Sequence, residues 1–593
     1  MQEEKLDTSL QIALEALQEG MNTNRDLLYG YDPESESFRV IIKYNGDIKK
    51  IEEWYPDTKV VLLFNQYAIV TTNARYLTEI ARMPETEYME KPKKLYYNLD
   101  FSKEISCISR VQKQNALGNS ISGSNLTGNG VYIGIVDSGS DIYHPAFQND
   151  DGSTRIAWLW DQSAQAKEND QIAAEYGYGT EYDREAIDRI LLQAKENGNR
   201  KQTPALESLS GHGTSVAGIA AGNGAGSVGR KYRGVATESE ILVVKLGRQD
   251  RDYAGSTEVM EGIDYVLRKA LLMQKPIAIN LSFGNNTGAH AGNSLFEDYI
   301  ASLNGVWKNV IVIATGNEGD ARHHSTIQMT ERGESIEVPF VIGDQERNMT
   351  LWIWKEYFDT FQLELETPSG ERIVLQQTIT KGQIYDMGSS QVFFYVGDPS
   401  PYRTQQELYL EWLTGLNGFV PSGIWKLHFT PEEIKDGFVS IWMMTTEAIG
   451  LTSGFLYPEA DSTLTNPSTS EKILSVGAYR ADNDSMAAFS GRGNTADGRQ
   501  APILVAPGVD VVTAIPGGNY AARSGTSIAA PFVTGSAALL MEWGIVHGND
   551  AYLYGEKVKA YLIKGARRLP GFTKWPNPQA GWGALCLYDS LPW

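Results

Sequence analysis

The region after residue 100 alternates short, strongly apolar runs with stretches whose apolar residues recur at helical spacing. This alternation is typical of a parallel sheet whose strands are buried by helices on both faces. Residues 256–274, for example, place Val259, Ile263, Val266 and Ala270 on one stripe, as a helix packed on a sheet requires. We therefore predict an α/β fold. Its strands are expected at 131–136, 241–247, 276–284, 309–316, 472–478 and 502–508.

Two stretches depart from this alternation. Residues near 150–208 are polar and contain the segment TEYDREAIDRILLQAKEN, which predicts a surface helix with flanking loops. Residues 326–447 hold about eight short alternating or aromatic runs separated by Gly, Pro and Asn turns, the pattern of an all-β sandwich or jelly roll. We expect this second stretch to be a domain inserted into a loop of the α/β core.

The aromatic residues of the predicted insert allow two interpretations. They can form the core of the sandwich, or they can stack on sugars in a carbohydrate-binding module. We expect most of them to be core residues. The tryptophans concerned are Trp352, Trp354, Trp412 and Trp425.

Ahead of the core, residues 37–97 show a β, β, α, β order that predicts a small α+β domain. The predicted organisation therefore has three parts. They are an N-terminal α+β domain at 1–97, an α/β core in two pieces at 98–325 and 448–593, and a β-sandwich insert at 326–447.

Composition excludes some classes of function. The 593-residue chain has a net charge of −21, so we expect no general attraction to nucleic acid or to anionic membranes. No run approaches about 20 uninterrupted apolar residues, which argues against a membrane-spanning helix. The first 20 residues lack a basic n-region and a continuous apolar h-region, so no signal peptide is expected.

Cys107 and Cys586 lie far apart in the sequence, and we expect two unpaired thiols in a reducing compartment.

Three segments each place one chemically reactive side chain at a strand end or a helix start. Asp137 follows a buried strand in GNGVYIGIVDSGSDIYHPAF, and ligands of open α/β sheets bind at the carboxyl ends of such strands. His212 lies between glycines in SGHGTSVAGIAAG, just before a helix of small residues. Ser527 opens a long apolar helix in SGTSIAAPFVTGSAALLMEWG. A serine becomes nucleophilic when an imidazole accepts its proton, and a carboxylate fixes that imidazole, so the three types together predict a catalytic triad.

These three segments resemble the active-site blocks of the subtilisin-like serine proteases, the subtilase family, whose triad follows the same order along the chain. ATGNEG at 314–319 resembles a fourth block, which implies that Asn317 donates its side-chain amide to the oxyanion, together with the backbone N–H of Ser527. The resemblance implies a serine endopeptidase that acts on proteins or peptides through an acyl-enzyme.

The resemblance also implies a substrate cleft. In subtilases the substrate pairs with an edge segment as an added strand, and the corresponding residues here are Ser282, Phe283 and Gly284. The pocket for the residue before the scissile bond is expected to be walled by Ala314, Thr315 and Gly316.

The whole arrangement is most similar to the Csp-type germination proteases of clostridial spores and to related subtilases of gut Firmicutes. The resemblance implies that residues 1–97 are a propeptide that inhibits the enzyme, with self-cleavage near Tyr97 or Asn98. It also implies cytoplasmic or spore-associated residence and a cortex-hydrolase zymogen as the substrate class. Some Csp-like proteins have lost triad residues, so a catalytically silent sensor or scaffold remains the alternative.

We expect no cofactor and no metal. The subtilase calcium loop has a counterpart in AGNGAGSVGRKYRGVA, but Lys231 and Arg233 replace the oxygen ligands that a hard cation prefers, so calcium is possible but not supported. His323 and His324 follow the fourth block and could suggest a metal, but we expect these adjacent loop histidines to be solvated.

Overall fold

The structure is a computed structural model in which the chain forms two compact units, Met1–Tyr96 and Tyr97–Trp593. It describes residues 5–6, 10–11, 13–14, 17, 31–33, 35–63, 66–90, 98–112, 125–164, 173, 175–197, 210–247, 255–331, 333–377, 382–388, 390–399, 404–414 and 418–592.

The N-terminal unit is an antiparallel sheet with short helices. Among its described residues the strands are Tyr31–Asp32, Ser37–Tyr44, Lys59–Leu63, Tyr67–Asn73 and Thr86–Glu90, and the helices are Ile51–Trp54 and Leu77–Arg82, with 3-10 turns at Ile48–Lys50 and Ala74–Tyr76. Residues 10–11, 13–14 and 17 are also helical. Ser37–Tyr44 is the central strand and pairs with three others. Its alternate residues Phe38, Val40 and Ile42 are buried, which is the period-two pattern of a sheet with one covered face. The predicted α+β domain is confirmed.

The second unit is built on a nine-stranded, mostly parallel sheet. In spatial order its strands are Ser485–Met486, Leu474–Arg480, Asn309–Ala314, Ile277–Leu281, Tyr132–Asp137, Glu240–Lys245, Ile156–Asp161 and Thr180–Asp183, with Leu504–Pro507 also paired to Leu474–Arg480. All six predicted strands are present. The interpretation of 150–208 as polar surface is wrong in part, because the apolar run Ile156–Asp161 inside it is a buried strand that pairs in parallel with Glu240–Lys245.

Helices cover both faces of this sheet, as predicted. The helices are Asn98–Ile105, Ile108–Gln112, Arg184–Asn197, His212–Ala221, Ser256–Leu272, Leu295–Ser302, Thr526–Met541, Glu556–Lys564 and Leu587–Ser590, with 3-10 turns at Pro145–Phe147, Val228–Arg230 and Leu303–Gly305. The histidine helix His212–Ala221 and the serine helix Thr526–Met541 share one hydrophobic core. The helix Ser256–Leu272 packs into a second core on the other face.

The serine helix continues as a π-helical turn at Glu542–Val546. By length and composition alone the segment Thr526–Val546 could cross a membrane, even though it contains no long uninterrupted apolar run. In this fold 89% of its most apolar window is buried inside the protein, which is the environment of a core helix.

The insert is a sandwich of two antiparallel sheets. One sheet has the order His324–Gln328, Phe438–Met443, Thr350–Glu356, Gln405–Leu413, Gln391–Val396 and Gln383–Asp386, and the other has the order Arg372–Leu375, Thr360–Glu366, Gly423–Glu433, Ile336–Ile342 and Gly454–Phe455. The inner faces of both sheets share one hydrophobic core. The four tryptophans considered for sugar binding are at most 9% exposed, so they are packing residues.

The expectation of two unpaired thiols is wrong, because Cys107 and Cys586 form a disulfide with their Cα atoms 4.9 Å apart. The fold brings the segment after helix Asn98–Ile105 beside the last helix, where the backbone N–H of Leu587 donates to the carbonyl of Ser106. Sequence spacing carried no signal for this pairing, since 479 positions separate the two cysteines.

Candidate active site

Asp137 and His212 form a hydrogen-bonded pair at the carboxyl edge of the core sheet. Asp137 is the last residue of its strand and is 4% exposed, and its Oδ1 lies 2.8 Å from Nδ1 of His212. The same oxygen accepts a hydrogen bond from the backbone N–H of Ser138 at 2.7 Å. The Asp137 carboxylate raises the pKa of His212 above its ordinary value, against the opposing effect of burial. The pair therefore has the geometry of a carboxylate that orients an imidazole.

Two glycines explain the position of the histidine. Gly211, which precedes the histidine helix, has a φ of 65°, in the left-handed region that favours glycine. A Cβ on Gly213 would lie 2.0 Å from the carbonyl oxygen of Gly139, so only glycine permits the helix to approach the loop after Asp137. The imidazole is held at the first helical residue and is 35% exposed, which leaves part of the ring accessible to a substrate.

The start of the serine helix is joined to Asn317. Oδ1 of Asn317 accepts hydrogen bonds from the backbone N–H and the hydroxyl of Thr526, at 3.0 and 3.2 Å. A Cβ on Gly525 would lie 3.0 Å from Oγ of Ser527 and 3.8 Å from both side-chain polar atoms of Asn317, so the hydroxyl and the amide flank the same small space. With Oδ1 engaged by Thr526, the NH2 group of Asn317 is the donor that remains for another partner.

A buried polar chain connects the serine helix to the sheet behind it. The hydroxyl of Thr534 donates to Oδ1 of Asn280, Nδ2 of Asn280 donates to Oγ of Ser282, and Ser282 donates to the carbonyl oxygen of Ser527. The three bonds measure 2.8, 2.8 and 3.2 Å. Sequence reasoning missed Asn280, Thr534 and Thr526. A polar Asn inside the apolar strand 276–284 was the available signal, because buried polar side chains need partners.

A cleft of about 720 Å³ opens beside the Asp137–His212 pair. The predicted substrate residues Ser282, Phe283 and Gly284 line it. Its other lining residues are Asp137, Ser138, Ser210, His212, Lys245, Leu246, Gly255, Ser256, Val259, Asn285, Phe296, Asn466 and Pro467. The cleft therefore joins the predicted substrate edge to the predicted catalytic pair.

The second predicted substrate segment, residues 314–316, does not line this cleft. Ala314 and Thr315 are 3% and 0% exposed, and with Gly316 they are absent from the lining of this cleft. Thr465 lies between the two segments, because a Cβ on Gly284 would meet its Oγ1 at 2.2 Å and a Cβ on Gly316 would meet its Cγ2 at 2.4 Å. These glycines allow close approach to Thr465, a residue that sequence reasoning did not identify.

The predicted propeptide cleavage region lies almost entirely outside the described residues. Tyr97 is not described, and Asn98 is described only as the first backbone position of the helix Asn98–Ile105. Cleavage near these residues stays a prediction.

The residues near the calcium-loop counterpart do not fit a metal ion. The buried guanidinium of Arg155, 5% exposed, donates to the carbonyl oxygens of Ala146, Ala221 and Ser239 at 3.1, 2.7 and 2.6 Å. Burial lowers its pKa to about 10, so it remains charged at neutral pH. A positive side chain thus occupies the carbonyl oxygen of Ala221, the last residue of the histidine helix and the first of the loop counterpart, where a metal ion would have to displace it.

Replacing Arg155 by Met is expected to destabilise the protein by about 3 kcal/mol or more, because the hydrogen bonds of a buried guanidinium to three carbonyl oxygens are lost. The loss of stability is measured by thermal unfolding of the variant and of the unsubstituted protein, each with and without a chelator. Arg230→Met is the matched control, since Arg230 pairs with the exposed Asp150 and its loss is expected to cost less than about 1 kcal/mol. A chelator that lowers the unfolding temperature of the unsubstituted protein would contradict this interpretation of the loop.

The expectation that His323 and His324 are solvated is wrong. They are 2% and 1% exposed, because they lie where the insert begins and packs on the core. The ring of His324 stacks on Trp442 at 4.6 Å, and His290 stacks on the same indole at 4.2 Å. Burial lowers the pKa of His324 to about 3 and that of His290 to about 4, so both are neutral at physiological pH. Nδ1 of His323 lies 2.5 Å from Oε2 of Glu318.

Known proteins share this fold. The chain belongs to the subtilase family, whose model matches residues 128–343 and 454–583. Residues 4–93 match the model of the Csp protease B prodomain, which agrees with the predicted propeptide-like domain.

The CspB protease of Clostridium perfringens is a solved structure similar to this chain. It is 33% identical, with a TM-score of 0.71, over 82% of this chain and 96% of that one. The serine protease AprX of Bacillus subtilis is 34% identical over 153 residues, and a thermophilic serine proteinase of a Bacillus species is 45% identical over 83 residues. These matches cover 22% and 14% of this chain, and 32% and 19% of the two curated relatives.

Proposed function

We propose that this chain is a serine endopeptidase that hydrolyses peptide bonds through an acyl-enzyme on Ser527. The observation that carries the proposal is the 2.8 Å hydrogen bond in which a partly exposed imidazole donates to a buried carboxylate, at the edge of a cleft in a subtilase fold. Membership of the subtilase family supports the proposal.

In the proposed mechanism, Nε2 of His212 accepts the proton of Ser527 as the hydroxyl attacks the substrate carbonyl. Asp137 holds the proton on Nδ1 and stabilises the imidazolium. The NH2 group of Asn317 and the backbone N–H of Ser527 donate to the oxyanion. His212 then gives its proton to the leaving amine. A water molecule next attacks the acyl-enzyme carbonyl while His212 accepts its proton, and His212 returns that proton to the Ser527 oxygen as the acid product leaves.

We also propose that the chain cleaves itself near Tyr97 or Asn98 and that its prodomain acts as an intramolecular inhibitor. The match of residues 4–93 to a Csp protease B prodomain supports this part of the proposal. The protein substrate is proposed to bind as an extended strand along Ser282, Phe283 and Gly284, since these residues line the cleft.

The test is to express the full chain with and without Ser527→Ala, and to examine each product by denaturing electrophoresis and N-terminal sequencing. The unsubstituted chain is expected to give two fragments with a new N-terminus near residue 98, while Ser527→Ala stays intact. The purified proteins are then compared in hydrolysis of a chromogenic peptide, where loss of the nucleophile is expected to cost several orders of magnitude in rate.

Ser524→Ala is a matched control. Ser524 lies three positions before Ser527 and is exposed, with its Oγ accepting from the backbone N–H of Asp510. This variant is expected to process normally. An intact unsubstituted chain that hydrolyses peptide no faster than Ser527→Ala would refute the enzyme and favour a silent scaffold.

A further inference from the structure

Glu318, the residue after Asn317, is a buried carboxylate whose two oxygens bind residues next to two strands of the β insert. It is 2% exposed. Its Oε2 lies 2.5 Å from Nδ1 of His323, and its Oε1 accepts the backbone N–H of Thr446 at 3.0 Å. A buried carboxylate is costly unless its oxygens are satisfied, and these two partners satisfy them.

The opposite side of the same loop is fixed by the α/β core. The carbonyl oxygen of Gly316 accepts from the backbone N–H of Gly491, and the N–H of Gly319 donates to the carbonyl of Phe489, both at 2.9 Å. A Cβ on Gly319 would lie 2.3 Å from the carbonyl oxygen of Ser490, so the loop is pressed against this segment. The backbone around Asn317 is therefore held between the core segment 489–491 and the partners of Glu318.

The partners of Glu318 are held in place by backbone hydrogen bonds and by packing of the neighbouring strand. His323 directly precedes the edge strand His324–Gln328, and its carbonyl accepts the backbone N–H of Met443 at 2.9 Å. Thr446 follows the neighbouring strand Phe438–Met443. The indole of Trp442 in that strand lies between two histidine rings, one of them from the core, so the end of the insert is packed against the core. Glu318 thus binds a part of the insert that is packed against the core.

We propose that Glu318 is a positioning residue that uses the β insert to hold Asn317 in place as an oxyanion donor. The proposal rests on the proposed peptidase function and assigns the insert a part in it. The side chain of Asn317 is oriented by Thr526, while its backbone is placed by the loop that Glu318 anchors. An oxyanion donor must lie within a few tenths of an ångström of its place, and a shift of about 1 Å can cost about 100-fold in rate.

Glu318→Ala removes the acceptor for Thr446 and the partner of His323, and it is expected to lower kcat about 10- to 100-fold with little change in KM. Glu318→Gln keeps an acceptor oxygen and a second polar atom, and it is expected to recover part of that loss. Both are measured on the self-processed full chain with a chromogenic peptide. Glu346→Ala is the matched control, because this carboxylate is also buried but binds Gly450 and Ser453, which are not partners of Glu318. Its kcat is expected to stay within about threefold of the unsubstituted value.

The decisive measurement repeats Glu318→Ala in an Asn317→Ala background. If Glu318 acts through Asn317, the second substitution adds no further loss of kcat. An equal loss in both backgrounds would overturn the proposal, since it would show a structural effect independent of the oxyanion donor. Unchanged kcat for Glu318→Ala in an active enzyme would overturn it while leaving the peptidase function intact. If the unsubstituted chain hydrolyses the peptide no faster than Ser527→Ala, both the proposed peptidase function and the proposed role of Glu318 are overturned.

Discussion

Replacing Asp137 by Asn is expected to lower kcat for peptide hydrolysis by about 10⁴-fold, the loss typical when the triad carboxylate of a serine protease becomes an amide. The amide can keep the contact with Ser138, but it presents either an N–H or a neutral oxygen to Nδ1 of His212. The imidazole then loses its charged partner and its preferred tautomer. Steady-state kinetics on the purified variant measure the effect.

Asp141→Asn is the matched control for this prediction. Asp141 is also buried, and its carboxylate accepts from the backbone N–H groups of Tyr143 and Gly517. It does not bind His212, so its kcat is expected to stay within a few-fold of the unsubstituted enzyme. Equal losses of kcat for both variants would show that the loss comes from disturbance of the loop after Asp137 and not from the Asp137–His212 pair.

The pH profile gives an independent check on the same pair. Asp137 raises the pKa of His212, and the histidine must be neutral to accept the serine proton. The acidic limb of kcat/KM in the unsubstituted enzyme is therefore expected at a higher pH than an unperturbed histidine would give, and in Asp137→Asn it is expected to move to lower pH. A limb that does not move would contradict the assignment of His212 as the base.

Replacing Asn317 by Ala is expected to lower kcat by about 10²- to 10³-fold with little change in KM. This is the loss typical of removing one oxyanion-hole donor in a subtilisin. The variant loses a donor that acts on the developing oxyanion, so affinity for a peptide aldehyde, which forms a tetrahedral adduct, is expected to fall in parallel.

Asn483→Ala is the control for Asn317→Ala, because Asn483 lies in an exposed turn where its Oδ1 accepts from Ser485. Its kinetics are expected to match those of the unsubstituted enzyme. A rise in KM with unchanged kcat for Asn317→Ala would contradict the oxyanion role, since it would indicate a loss of substrate binding only.

Much of the fold could be predicted because it is encoded locally. Apolar runs such as 131–136 and 309–316 are buried on both faces of a parallel sheet, and the alternation in the insert reflects two-layer packing. The strand Ile156–Asp161 was missed because a single short apolar run is surrounded by polar residues. Its identity as a strand depends on pairing with Glu240–Lys245, which is far away in the sequence.

The candidate site also has residues that could be predicted from the sequence and residues that could not. Asp137, His212, Asn317 and Ser527 lie at strand ends and helix starts within recognisable segments, so they could be proposed from sequence. The roles of the residues that hold them could not, because Asn280, Thr526 and Glu318 each depend on a partner between 128 and 254 positions away. The burial of His323 also depends on a long-range contact, in which the strand after it pairs with Phe438–Met443.

The link between Cys107 and Cys586 closes nearly all of the second unit into a covalent ring. A ring has fewer unfolded conformations than an open chain, so the crosslink is expected to favour the folded form by about 6 kcal/mol in the chain-entropy description. One backbone cut anywhere inside this ring leaves a single molecule whose pieces separate only after reduction. Nicking of the exposed turns of the insert would therefore be visible on reducing gels and invisible on non-reducing ones.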